Sequence, residues 1–253
     1  MTNRKIIVAN WKMNPSSRDM ARAIAKKTRA IATKLSSTVV IVCPPYVFIE
    51  TCHSRKGLKN MFIGSQDVSY EEDGAYTGEI GANMLASLGV KYAIVGHSEQ
   101  RERGDTDEIV GKRIMAILNV GLIPIVCVGE KIRDEHGSYL NTLKNQIKQT
   151  FIDIPKKYSR QIIMAYEPIW AIGSNEAMRP DQVYEMSLFV KKIYSDIFGG
   201  ESALKLTILY GGAVNFKNAS EIIKTGKVNG LLIGRESVNM PGFIELLKEV
   251  DAI

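Results

Sequence analysis

Eight short runs of β-branched and other apolar residues recur along this chain, and each leads into a stretch with helical spacing. The runs are Lys5–Ala9, Val39–Cys43, Met61–Gly64, Tyr92–Val95, Ile123–Val128, Gln161–Ala165, Lys205–Tyr210 and Gly230–Ile233. The stretches between and after them read as helices over Arg18–Thr33, Tyr46–Cys52, Gly81–Leu88, Thr106–Asn119, Tyr139–Phe151, Pro180–Phe198, Ala219–Thr225 and Gly242–Val250. Asp105 and Glu108 are spaced as a capping box, and Pro180 suits the first turn of its helix. Strand, helix, strand order implies parallel pairing through right-handed crossovers, since a tight turn cannot join parallel neighbours. Eight such units in 253 residues match a closed (β/α)8 barrel. Ile6-Ile7-Val8 and Ile125-Val126-Cys127-Val128 lack polar alternation, as strands buried on both faces require. An open doubly wound sheet is the alternative. It normally carries a glycine-rich phosphate turn after its first strand, where this chain has Asn10-Trp11-Lys12-Met13-Asn14. With no linker, low-complexity tract or repeat, residues 1–253 read as one α/β domain.

The balance of 33 basic and 27 acidic residues leaves a net charge of +6. Lys and Arg are scattered without interleaved aromatics, which speaks against a nucleic-acid partner. A mild positive field suits the steering of a small anionic substrate. The longest uncharged apolar run, Val39 to Ile49, is too short to span a bilayer and contains Pro44-Pro45, so no membrane partner is expected. Cys43, Cys52 and Cys127 have no metal-ligand spacing, and two of them sit in apolar runs, as buried thiols in a reducing compartment do. Met1-Thr2-Asn3-Arg4-Lys5 leads straight into the first strand without a secretory pattern. A cytoplasmic location is expected.

In a barrel of this kind the residues just past each strand share the face that carries the chemistry. Asn10 and Lys12 leave the first strand on the same side by period-two alternation. His97 leaves the fourth. Glu167, in Ala165-Tyr166-Glu167-Pro168-Ile169-Trp170, leaves the sixth and is placed for acid–base work, because partial desolvation lifts a carboxylate pKa toward neutrality. Tyr210-Gly211-Gly212-Ala213-Val214 and Gly234-Arg235-Glu236 leave the seventh and eighth as turns able to offer backbone N–H groups to an anion. Each element alone has a plainer reading: a solvated lysine, a structural histidine, a tight Gly-Gly turn. Their convergence on one face favours the catalytic one.

These residues resemble the triosephosphate isomerase family. The similarity runs through Asn10-Trp11-Lys12-Met13-Asn14, Gly74-Ala75-Tyr76-Thr77-Gly78-Glu79, Gly96-His97-Ser98-Glu99, Pro124-Ile125-Val126-Cys127-Val128-Gly129-Glu130, Ala165 to Gly173, and Tyr210-Gly211-Gly212, in order along the chain. The resemblance implies a single-domain TIM barrel that interconverts dihydroxyacetone phosphate and D-glyceraldehyde 3-phosphate, a glycolytic and gluconeogenic step, without metal or organic cofactor. Glu167 would be the general base and His97 the electrophile that polarises the carbonyl, a pairing with a neutral histidine for which this family is itself the known example. Lys12 and Asn10 would stabilise the enediolate. Backbone N–H groups of Gly173, Ala213, Gly234 and Arg235 would cradle the phosphate. Pro168 to Met178 would form the lid that excludes water, again as in this family. Thr77 and Gly78 would insert into a second subunit near Met13, giving a homodimer.

The chain departs from the family pattern at four places. Ala213 replaces a serine, Gly173-Ser174-Asn175 replaces Gly-Thr-Gly in the lid, and Gly234-Arg235 replaces Gly-Gly. Ala213 and Arg235 keep their N–H groups, so a cradle requires only that their torsions be allowed. The lost serine hydroxyl removes a lid contact, for which the Asn175 amide is a candidate substitute; neutral drift at both positions is the simpler account. Gln100 stands where an arginine is common and is expected to alter only a surface ion pair. Two rivals follow. A Schiff-base aldolase would need Lys12 as nucleophile, and a catalytically silent barrel would only bind a phosphorylated ligand.

Overall fold

The computed structural model describes residues 4–53, 59–172 and 177–253. Eight strands, β1 (Lys5–Asn10), β2 (Thr38–Cys43), β3 (Met61–Ser65), β4 (Tyr92–Val95), β5 (Ile123–Val128), β6 (Ile163–Tyr166), β7 (Thr207–Tyr210) and β8 (Gly230–Ile233), pair in parallel in sequence order. The sheet closes on itself: Ile6 pairs with Gly230 and Ala9 with Ile233. The helices are α1 (Arg18–Ala32), α2 (Ile49–Cys52), α3 (Ala82–Ser87), α4 (Ser98–Glu102), α5 (Asp107–Asn119), α6 (Ser138–Thr150), α7 (Pro180–Phe198), α8 (Gly200–Leu204), α9 (Ala219–Gly226) and α10 (Met240–Asp251). This is the single-domain TIM barrel expected from the strand–helix recurrence.

Alternation along each strand sorts the apolar residues into two cores. Val8, Ile41, Cys43, Ile94, Ile125, Cys127, Ile163, Ala165, Leu209 and Leu232 fill the barrel interior. Their neighbours, such as Ile7, Val40, Val42, Val95 and Met164, pack outward with helix residues including Ile24, Ile114, Ile147, Val190, Ile222 and Leu246. Both faces of every strand are thus dehydrated, which is why the strands read as unbroken apolar runs. All three thiols are free and buried.

Several sequence-based boundaries shift for identifiable reasons. The cap of α5 is Thr106, whose hydroxyl accepts from the Ile109 N–H at 3.2 Å. Asp105 is instead ion-paired with Arg113 at 3.0 Å, so the Asp105–Glu108 capping box is not formed. The stretch Tyr46–Cys52 is a 3-10 turn, Tyr46–Phe48, followed by the single turn of α2. Helix α8 precedes β7 and leaves Lys205 as its C-terminal cap, so β7 begins at Thr207. Gln161 closes a turn onto the Tyr158 carbonyl, and β6 begins two residues later.

Candidate active site

A cavity of about 520 Å³ opens at the carboxyl ends of the strands. Lys12, His97, Glu167, Ala213, Gly234 and Arg235 line it, as the strand-end reading requires. Asn10 is 4% exposed and is not among the lining residues. Its Oδ1 accepts the Lys12 backbone N–H at 3.0 Å. That contact holds Lys12 in the left-handed region, at φ 53°, a conformation costing a lysine on the order of 1 kcal/mol and typical of functional positions. The Lys12 ammonium meets Glu99 Oε1 at 2.6 Å. Burial raises the Glu99 carboxyl, but the hydrogen bond and charge of Lys12 outweigh it and leave the group below its usual range.

His97 caps the N-terminus of α4. Its Nδ1 accepts the Glu99 N–H at 3.1 Å. A ring nitrogen that accepts cannot carry the proton, which leaves Nε2 as the donor aimed into the cavity. Glu167 Oε1 lies 3.6 Å from that Nε2. The glutamate is only 2% exposed, and Oε1 has no hydrogen-bond partner among the described residues. Burial raises the Glu167 pKa, opposed by His97, the Cys127 thiol, Lys12 and the Ser98 N–H. Gly211 makes room for this carboxylate: a Cβ there would stand 2.7 Å from Glu167 Cγ.

Ala213 and Arg235 are not among the described residues with positive φ, so their N–H groups are presented without backbone strain. Gly173, the fourth predicted cradle residue, and Asn175, the proposed latch, fall outside the described residues, as does the middle of the lid. Both flanks of the expected lid are described. On one side the buried Glu130 carboxylate accepts from the Tyr166 hydroxyl at 2.8 Å and the Trp170 indole N–H at 3.1 Å. On the other, the Tyr210 hydroxyl accepts the Met178 N–H at 3.1 Å.

One expectation is corrected. Gln100 is no surface residue: it is 5% exposed, and its Oε1 accepts the His97 backbone N–H at 2.9 Å in a capping box. A side chain three positions into a helix reaches back to the cap residue, so its amide turns inward rather than toward a surface partner. Gln66 was also missed. It follows β3 directly, and the strand-end criterion applied there would have found it.

No described helix is long and apolar enough to cross a membrane. Among the described residues, no three His, Cys, Asp or Glu side chains converge to hold a metal ion.

The sequence model of the family described as Triosephosphate isomerase matches residues 5–250. A triosephosphate isomerase of Endomicrobium trichonymphae is 37% identical over 248 residues, covering 97% of this chain and 98% of that protein. One from Alkalilimnicola ehrlichii is 36% identical over 251 residues, 96% of this chain and 97% of that protein. One from Aquifex aeolicus is 35% identical over 246 residues, 96% and 98% of the two chains.

Proposed function

We propose a residue-level mechanism from one premise: the chain belongs to the triosephosphate isomerase family and interconverts dihydroxyacetone phosphate and D-glyceraldehyde 3-phosphate. Relatives named as isomerases along their whole length leave the aldolase and silent-barrel alternatives without support. In the proposed mechanism Glu167 takes a proton from the carbon beside the substrate carbonyl. His97 Nε2–H polarises that carbonyl and carries the proton exchange between the two oxygens. Lys12 and the Asn10 amide stabilise the enediolate, and Glu167 returns its proton to the neighbouring carbon. Charge develops on oxygen in a site whose donors are already in place, where such stabilisation is strongest. The N–H groups of Gly173, Ala213, Gly234 and Arg235 hold the phosphate, and residues 168–178 cover the site. The chain, residues 1–253, acts as one catalytic domain.

The observation that carries this reading is that Glu167 lines the cavity with its buried Oε1 unpartnered among the described residues and 3.6 Å from His97 Nε2. Burial raises the Glu167 pKa and so strengthens the carboxylate as a base. Glu167→Gln keeps shape and loses the base. In a coupled assay it should cut kcat by roughly 10²–10⁴-fold with phosphate-end binding retained. A loss under threefold sinks the assignment.

We further propose a homodimer in the cytoplasm. Residues 72–79 form a continuous exposed segment, and Met13, beside Lys12, is 94% exposed. An apolar side chain so exposed next to a catalytic lysine fits a socket for the Thr77–Gly78 loop of a second copy. Sedimentation of Thr77→Arg should show monomer where the parent shows dimer. Three buried free thiols suit a reducing compartment.

A further inference from the structure

Two routes tie His97 to Lys12, one through the imidazole and one through the backbone. The first runs through Glu99, whose N–H meets His97 Nδ1 and whose carboxylate meets the Lys12 ammonium. Glu99 is 52% exposed at its side chain, so water competes for this route. The second is made of amides and is better shielded. Gln100 Oε1 accepts the His97 N–H at 2.9 Å, and Gln100 Nε2 donates to the Gln66 carbonyl at 2.9 Å. Gln66 Nε2 in turn donates to the Lys12 carbonyl at 2.8 Å and to the Cys43 carbonyl at 2.9 Å. The ends of β1, β2, β3 and β4 are thereby joined through two side chains.

We propose that Gln100 is a positioning residue for the isomerisation, holding His97 directly and the strained Lys12 through Gln66. The proposal rests on the mechanism above. Its logic is that of an amide at a junction. A glutamine offers one acceptor and two donors on one planar group, so it satisfies the His97 N–H and the Gln66 carbonyl at once. Both links are neutral and largely out of water, where unmade hydrogen bonds are costly. Lys12 holds a left-handed backbone that would relax without such external contacts. A small release at Gln100 is therefore transmitted to two groups that must meet one substrate oxygen region, and catalysis is sensitive to displacements of about 1 Å.

Two variants separate positioning from folding. Gln100→Glu keeps the size and the acceptor for the His97 N–H but sets a carboxylate oxygen against the Gln66 carbonyl. Gln100→Met keeps the length and loses both contacts. With glyceraldehyde 3-phosphate as substrate we expect kcat to fall about five- to thirtyfold in Gln100→Glu and further in Gln100→Met, as hydrogen bonds of this kind dictate. KM and the affinity for phosphoglycolate should change less than threefold, because the phosphate cradle lies on other strands. Isomerase activity in the parent protein, measured alongside, keeps a failure of the functional reading distinct from a failure of this one. Folded variants with parental kcat, or variants whose loss lies wholly in KM, overturn the proposal. If Gln100→Met does not fold, the kcat and KM of Gln100→Glu decide it alone.

Discussion

Replacing Gly211 by alanine tests whether steric fit holds the Glu167 carboxylate in place. The added Cβ would stand 2.7 Å from Glu167 Cγ and 3.1 Å from Oε1, where ordinary contact begins at 3.4 Å. Gly211 is not one of the positive-φ glycines, so alanine meets no backbone strain and the whole effect is local crowding. The glutamate must retreat by roughly 0.7 Å, the gap between 2.7 and 3.4 Å. A 1 Å misplacement of a reacting group costs on the order of 10² in rate. Scaled to this shift, the loss is about 25-fold, or about 2 kcal/mol of transition-state stabilisation. Overpacking should also remove about 1–3 kcal/mol of folding stability, so circular dichroism must first show a folded barrel. The decisive numbers are then kcat and KM for glyceraldehyde 3-phosphate. We expect a fall in kcat with KM nearly unchanged. A folded Gly211→Ala protein turning over within twofold of the parent would refute it.

Three further outcomes follow from the same structure. Tyr210→Phe removes the acceptor of the Met178 N–H, so the lid flank should lose about 0.5–1.5 kcal/mol of order, read as faster amide exchange at Met178 and slower turnover. Arg235→Ala keeps the backbone N–H, so KM should stay within about threefold if that N–H is what the phosphate meets; a tenfold rise would assign the contact to the guanidinium. Asp251 anchors α10 to the loop before β2, accepting from the N–H groups of Ser36 at 2.9 Å and Ser37 at 2.8 Å. Partial burial raises its pKa, but those bonds outweigh it and bring it to about 2. The sign is that of a depressed acid: the stabilisation is present above pH 4 and is lost as pH falls through about 2. Discounted for solvent access, Asp251→Asn should cost about 1 kcal/mol near neutrality, a difference that closes in acid melts.

The barrel was legible because its strands are dehydrated on both sides, so apolar runs alone mark them. The strand-end residues were legible for the same reason: a parallel closed sheet sends every carboxyl end to one face. Lys12, His97 and Glu167 could be placed together without knowing any distance between them. What stayed hidden were residues defined by partners far along the chain. Gln100 reads as a polar surface position until β3 brings the Gln66 carbonyl beside it. Glu130 is one carboxylate among many until Tyr166, at the end of the next strand, and Trp170, in the turn after it, converge on it. Thr106 displaced Asp105 as a helix cap because Arg113 claims the aspartate from one face of α5. Local pattern names the element and the face, and long-range register chooses the hydrogen-bond partner.

The pairing of β1 with β8 also sets a timetable for biosynthesis. Asn10 and Lys12 leave the ribosome early, while Gly234 and Arg235 arrive only with the last strand. Until β8 is made, β1 and β7 are open edges whose unpaired N–H and C=O groups invite other chains. A growing chain thus carries Lys12 for most of its synthesis without the Gly234 and Arg235 that line the cavity with it. A chain stopped before Gly230 should be recovered as an aggregate rather than as a feeble enzyme.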